Sequence, residues 1–93
     1  VPRLIWSEEA YRDITAISDY LEQFDGALAA STLEAIGTSA DMLTRFPAIG
    51  PALGVETRSL RARHTNHVIV YTIRDEGIVI LHIHHDRQNW RSE

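Results

Sequence analysis

The chain has 93 residues, with nine arginines, no lysine, thirteen acids, five histidines and a formal net charge of −4. That length makes a single domain over residues 1–93, with one core and room for one shallow or edge site. It has no cysteine and no run near the ~18 apolar residues of a membrane span, which excludes disulfides, thiolate metal centres and a spanning helix.

Arg3 to Trp6 is short and apolar and reads as a first strand. It stops at Ser7, whose hydroxyl is suited to cap a helix, with Glu8 and Glu9 favourable at the helix's positive end. Ala10, Ile14, Ile17, Leu21 and Phe24 then recur at steps of 4, 3, 4 and 3, one face of a helix. Asp13, Asp19 and Glu22 point mostly elsewhere. Asp25-Gly26 breaks the run, and a second helix follows with Ala29, Leu33, Ile36, Ala40 and Leu43 on its stripe, ending before Pro47. Both stripes are assigned to the core. Tyr11, Tyr20 and Leu28 fall off them and are candidates for an exposed contact, whereas Trp6 is assigned to packing.

Phe46 to Gly54 holds two prolines and two glycines in nine residues and is a loop. Glu56 to Arg63 is a candidate strand. His64 to His67 turns the chain into a strand at Val68 to Ile73, and Arg74 to Gly77 turns it back into Ile78 to His84. The order β-α-α-β-β-β is an α+β architecture, with a helical hairpin packed on one face of a sheet.

Charge is distributed unevenly along this order. Residues 1–54 carry three arginines against eight acids, net −5, and residues 55–93 carry six against five, net +1. The molecule is therefore not a general nucleic-acid binder, but Arg58 to His67, which contains no acid, supports a local cationic surface. Arg58, Arg61 and Arg63 suit phosphate or the carboxylates of an acidic partner. All five histidines lie in the last third, at positions 64, 67, 82, 84 and 85. His82 and His84 are two apart on one strand face, a zinc-compatible spacing if His64, His67 or Asp86 converges; structural hydrogen bonding is the commoner use, and no metal or cofactor is expected. Arg87, Trp90 and Arg91 combine cations with a flat ring and are candidates for gripping a target. The opening VPRLIW has no signal-peptide-like apolar region, so a cytoplasmic location is expected.

LIWSEEAYRDI (Leu4 to Ile14), LTRFPAIGPAL (Leu43 to Leu53), VIVYTI (Val68 to Ile73) and HIHHDRQNW (His82 to Trp90) occur in this order. Together they resemble the toxin subunits of the ParE/RelE superfamily of bacterial type II toxin–antitoxin systems, over nearly the whole chain. The resemblance implies a helical hairpin on one face of a mainly antiparallel sheet. It also implies growth arrest by a toxin that serves plasmid or chromosome stabilisation and is neutralised by a cognate antitoxin in a hetero-oligomer. The antitoxin's disordered tail would fold on the toxin, by adding a strand or laying a helix in a groove.

RelE-like members cut messenger RNA on the ribosome, and ParE-like members poison DNA gyrase. Cleavage needs a base, a proton donor and cations for the phosphate. Val68 stands where a phosphate-binding arginine would align, only Arg87 matches a family arginine well, and no tyrosine follows Tyr71. The resemblance is therefore closer to ParE, with gyrase as target, a ParD-like acidic-tailed antitoxin as partner, and nucleic acid contacted only indirectly. The alternatives are a RelE-like endoribonuclease using His84 or His85 with Arg87, and a degenerate toxin that retains only antitoxin binding.

Overall fold

The computed structural model describes residues 2–86. Its elements are β1 (Arg3–Trp6), α1 (Glu8–Glu22), α2 (Gly26–Met42), β2 (Thr57–Arg61), β3 (His67–Arg74) and β4 (Gly77–His85). The four strands form one sheet in the order β1-β4-β3-β2, with β1 parallel to β4 and the other pairs antiparallel. The expected order is observed. What the sequence reading leaves unassigned is that the first strand lies beside the last.

Both helices begin at side-chain caps. Ser7 Oγ accepts the Ala10 amide at 3.1 Å, and Asp25 Oδ1 accepts the amides of Ala27 and Leu28 at 3.0 and 3.1 Å. Such caps satisfy amides that the helix leaves unpaired, each worth about 1 kcal/mol. The hairpin then lays Ala10, Ile36, Ala40 and Leu43 against Ile69, Tyr71, Ile78, Ile80 and Ile83, with Ile14, Ile17 and Leu60 packed around them. Trp6 packs against the same cluster, as assigned. Phe24 departs from the expected stripe: α1 ends at Glu22, so the spacing no longer holds it on the core face, and it is 70% exposed.

A bulge in β4 decides which of its side chains enter the core. Tyr71 pairs with Ile80 but Val70 pairs with His82, so Leu81 is an extra residue that reverses the alternation. Without it His82 and His84 would follow Ile78 and Ile80 onto the helix face. With it, Ile83 is buried there and the two histidines turn to the opposite face.

β1 covers β4 only from Gly77 to Ile80, so the rest of that edge has no strand partner. Helix α1 supplies the missing partners. Ser7 Oγ donates to Leu81 O at 3.0 Å, and Asp13 Oδ2 accepts the Ile83 amide at 2.9 Å and lies 3.1 Å from His82 Nδ1. At the other end of the sheet, the Tyr71 hydroxyl donates to Pro47 O at 2.7 Å and accepts the Gly50 amide at 3.0 Å. Burial raises the Tyr71 pKa, which keeps that hydroxyl protonated. A Cβ at Gly50 would collide with Ser59 O, so the loop approaches β2 only because glycine is there.

Removing the Asp13 carboxylate leaves the Ile83 amide unpaired at a partly buried edge. Asp13→Ala is expected to lower unfolding stability by about 1–3 kcal/mol in chemical denaturation. Asp13→Asn, which keeps an accepting oxygen, should lose less, and wild-type stability in the alanine variant would contradict this role.

Candidate partner-binding site

A cavity of about 380 Å³ opens where the tip of the helical hairpin parts from the sheet. Ile17, Tyr20 and Leu21 of α1 and Leu28 and Thr32 of α2 form one wall, and His64 to His67 with His85 form the other. The wall of α1 and α2 follows from the stripe geometry: residues near the edge of the buried face project past the sheet's end. Tyr20 and Phe24 meet edge-to-face at 5.2 Å beside the mouth, an arrangement favoured by the ring quadrupoles. Tyr20 and Leu28 are 60% and 47% exposed.

The turn that closes the cavity is tightly bonded. Thr65 donates from both its amide and its hydroxyl to Ala62 O, at 3.1 and 2.8 Å, and accepts the His67 amide at 3.1 Å. His64 takes a left-handed backbone conformation, φ 64°, uncommon for a non-glycine residue. His67 and His85 face one another across β3 and β4 with ring centroids 5.3 Å apart. His67 is buried, its Nδ1 has no hydrogen-bond partner, and its pKa is lowered, first by burial and then by His85. The base of the cavity is therefore a neutral imidazole.

The arginines divide into different environments. Arg58 turns its guanidinium onto the loop, donating from one nitrogen to Gly50 O at 2.8 Å and Ala48 O at 3.2 Å. Arg61 pairs with Asp86 at 3.0 Å, in a partly exposed geometry that contributes little net stability. Arg63 is exposed, while its amide donates to Ser39 Oγ at 3.2 Å. Tyr11 is exposed but lies near Trp6, with ring centroids 6.4 Å apart, and does not line this cavity. Of the six candidate contacts for an antitoxin, Tyr11, Tyr20, Leu28, Arg58, Arg61 and Arg63, the structure brings Tyr20 and Leu28 together here with Arg63 nearby, engages Arg58 with the loop and Arg61 with Asp86, and places Tyr11 elsewhere.

His82 and His84 stack with centroids 5.1 Å apart on the face opposite the helices, and Val68 lies between Arg61 and His84 in the strand register. His85, grouped with His84 in the sequence reading, lies on the helix side because successive strand residues alternate. Arg87, Trp90 and Arg91 lie outside the described residues. Among the described residues, no three histidine or acidic side chains gather in metal-ligating geometry, and no helix is long and apolar enough to cross a membrane. The cavity residues Thr32, His64 and His67 were not singled out as partner contacts from sequence. Only the acid-free run from Arg58 to His67 pointed toward this turn.

The profile described as "ParE toxin of type II toxin-antitoxin system, parDE" matches residues 4–90. The chain belongs to the ParE toxin family. It is therefore the toxin component of a type II toxin–antitoxin system, within the ParE/RelE superfamily. A curated relative, Toxin RelE2 of Caulobacter vibrioides, is 31% identical over 83 residues, covering 89% of this chain and 93% of that protein. Among solved structures, a chain of the chromosomal ParDE system from P. aeruginosa superposes with a TM-score of 0.80 at 22% identity, covering 90% of this chain and 95% of that one. The superposition shows that the sheet and hairpin described above are the ParE toxin fold. Membership also implies an antitoxin partner for this chain.

His67 gives stability a pH dependence of definite sign. The folded chain holds it neutral, whereas the unfolded chain binds a proton below the ordinary value of 6.5, so its contribution is complete above 6.5 and is lost as pH falls toward the lowered folded value. Denaturation at stepped pH is expected to show a steeper fall below pH 6.5 in the wild type than in His67→Phe. Parallel profiles would contradict the assignment.

Proposed function

We propose that this ParE-family toxin arrests growth by binding DNA gyrase and stalling its cleaved-DNA state, and that a ParD-like antitoxin with an acidic tail holds it inactive. The observation that carries the choice of target is Val68. It stands where the RNA-cleaving branch would place a phosphate-binding arginine, and here it is an apolar side chain only 3% exposed. Helix-bearing residues 1–54, with net charge −5, also argue against holding DNA by bulk electrostatics and favour a protein target. Gyrase places that action in the cytoplasm and makes the toxin a binding protein, with no chemical step of its own. Purified toxin is expected to inhibit supercoiling by gyrase in a dose-dependent way. Unchanged supercoiling at saturating toxin would exclude this target.

One geometry favours a second reading, a ribosome-dependent endoribonuclease. The Asp13 carboxylate at His82 Nδ1 suits a tautomer whose Nε2 accepts a proton, His84 stacks beside it, and Arg61 lies on the same sheet face. The name of the Caulobacter relative is compatible with either branch. Transcript ends mapped after induction distinguish the two: codon-specific cuts that disappear in His82→Gln would establish cleavage.

A further inference from the structure

The bulge at Leu81 puts His82 and His84 on the sheet face opposite the helices, beside Val70 and Val68 of β3, which are only 7% and 3% exposed. Alternate residues of a strand share a face, so the two imidazoles project side by side, with ring centroids 5.1 Å apart. Two imidazoles on one tetrahedral ion, each bonded at about 2.1 Å, hold their centroids about 5 Å apart. The spacing that is zinc-compatible in the sequence is therefore also compatible in the fold.

Asp13 adds what spacing alone does not supply. It reaches His82 from α1, 69 residues earlier in the chain, with Oδ2 3.1 Å from His82 Nδ1. A carboxylate oxygen only accepts, so Nδ1 carries the proton, and in the neutral ring the Nε2 lone pair points away from Asp13. A carboxylate behind one ring nitrogen is the arrangement that fixes the tautomer and direction of a metal-ligating histidine and raises its basicity. Asp13 is itself pinned, because the same oxygen accepts the Ile83 amide at 2.9 Å. His82 is thus fixed in direction, and adjustment to an ion falls to His84 through its soft χ2 torsion. Arg61 lies on the same face, but its charge is offset by Asp86 at 3.0 Å.

We propose that His82 and His84 form an open binding site for a divalent ion of the zinc, nickel and copper class, with Asp13 as the residue that positions His82. Imidazole nitrogens suit these ions, whereas magnesium and calcium take oxygen ligands. No third histidine or acidic side chain gathers there in ligating geometry among the described residues, so the remaining positions fall to water or to a donor atom from another molecule. The ion would give the outer sheet face a Lewis-acid centre able to take an external oxygen or nitrogen ligand. Binding of the ion is independent of which target the toxin inhibits.

The test is calorimetric titration of zinc into the full toxin carrying no histidine tag, with nitrogen-15 spectra of the histidines alongside. One ion per chain is expected, with no binding of magnesium. His82→Gln and His84→Gln, the second of which leaves the Asp13 contact in place, should each weaken zinc binding at least ten-fold. Asp13→Asn should weaken it about ten-fold and erase the Nδ1-protonated signature of His82, whereas a role confined to packing would lower the melting temperature and leave zinc affinity unchanged. His67→Phe, which removes one ring of the facing pair His67–His85, should bind zinc as the wild type does. No zinc uptake, equal binding of magnesium, wild-type affinity in either His82→Gln or His84→Gln, or loss of binding in His67→Phe overturns the inference. Unchanged affinity in Asp13→Asn overturns the positioning role.

Discussion

The attachment of α1 to the uncovered edge of β4 organises the molecule. β1 is four residues long and β4 nine, so more than half of β4 has backbone groups on that side with no strand to receive them. An unpaired buried amide costs more than a hydrogen bond returns, so the edge must be satisfied or exposed. Ser7, the cap of α1, and Asp13, in its second turn, satisfy it. Once α1 is fixed there, the short link at Gln23 to Asp25 fixes α2, and the two helices close over Ile69, Tyr71, Ile80 and Ile83. The same carboxylate orients His82. A single residue thereby connects the packing of the hairpin to the polar face of the sheet.

The two ends of the fold are built differently. At the α2–β2 end, Tyr71 and Arg58 hold the proline-glycine loop through its carbonyls, and Gly50 permits the close approach, so the backbone there is over-determined by hydrogen bonds. The hairpin tip exposes Tyr20, Phe24 and Leu28, and the loop end exposes Phe46, Ile49, Leu53 and Val55 in turn. A toxin kept inactive by a partner needs such a surface, since burying apolar area supplies the driving force for association while surface ion pairs mainly give direction. The arginines differ likewise: Arg58 is held by the loop carbonyls, and Arg63 is exposed near the hairpin-tip cavity.

Much of the architecture was legible because helical and strand spacing reports local burial. Ser7, the stripes through Ala10 and Ala29, and the turns at Asp25 and Arg74 needed no knowledge of distant residues. The pairing of β1 with β4 did, and local pattern carries no information about a parallel neighbour more than seventy residues away. Asp13 read as a solvent-facing acid for the same reason, since the amide it accepts lies seventy residues on. Phe24 continued a stripe beyond the helix that gave it meaning. The bulge at Leu81 is subtler: simple alternation would send His82 and His84 inward, and only the register shows them turned outward. At the candidate site, Tyr20 and Leu28 stood out as off-stripe apolar residues. His67 and His85 did not, because their meeting depends on that same register.

A ParE-family toxin that acts by binding alone, as proposed above, needs no chemistry from the histidines of the outer sheet face. The most direct measurement is gyrase supercoiling by a His82→Gln/His84→Gln double variant shown to melt as the wild type does. Inhibition equal to that of the wild type is the predicted result. Loss of inhibition by the folded variant would contradict the account and return those histidines to the centre of the mechanism.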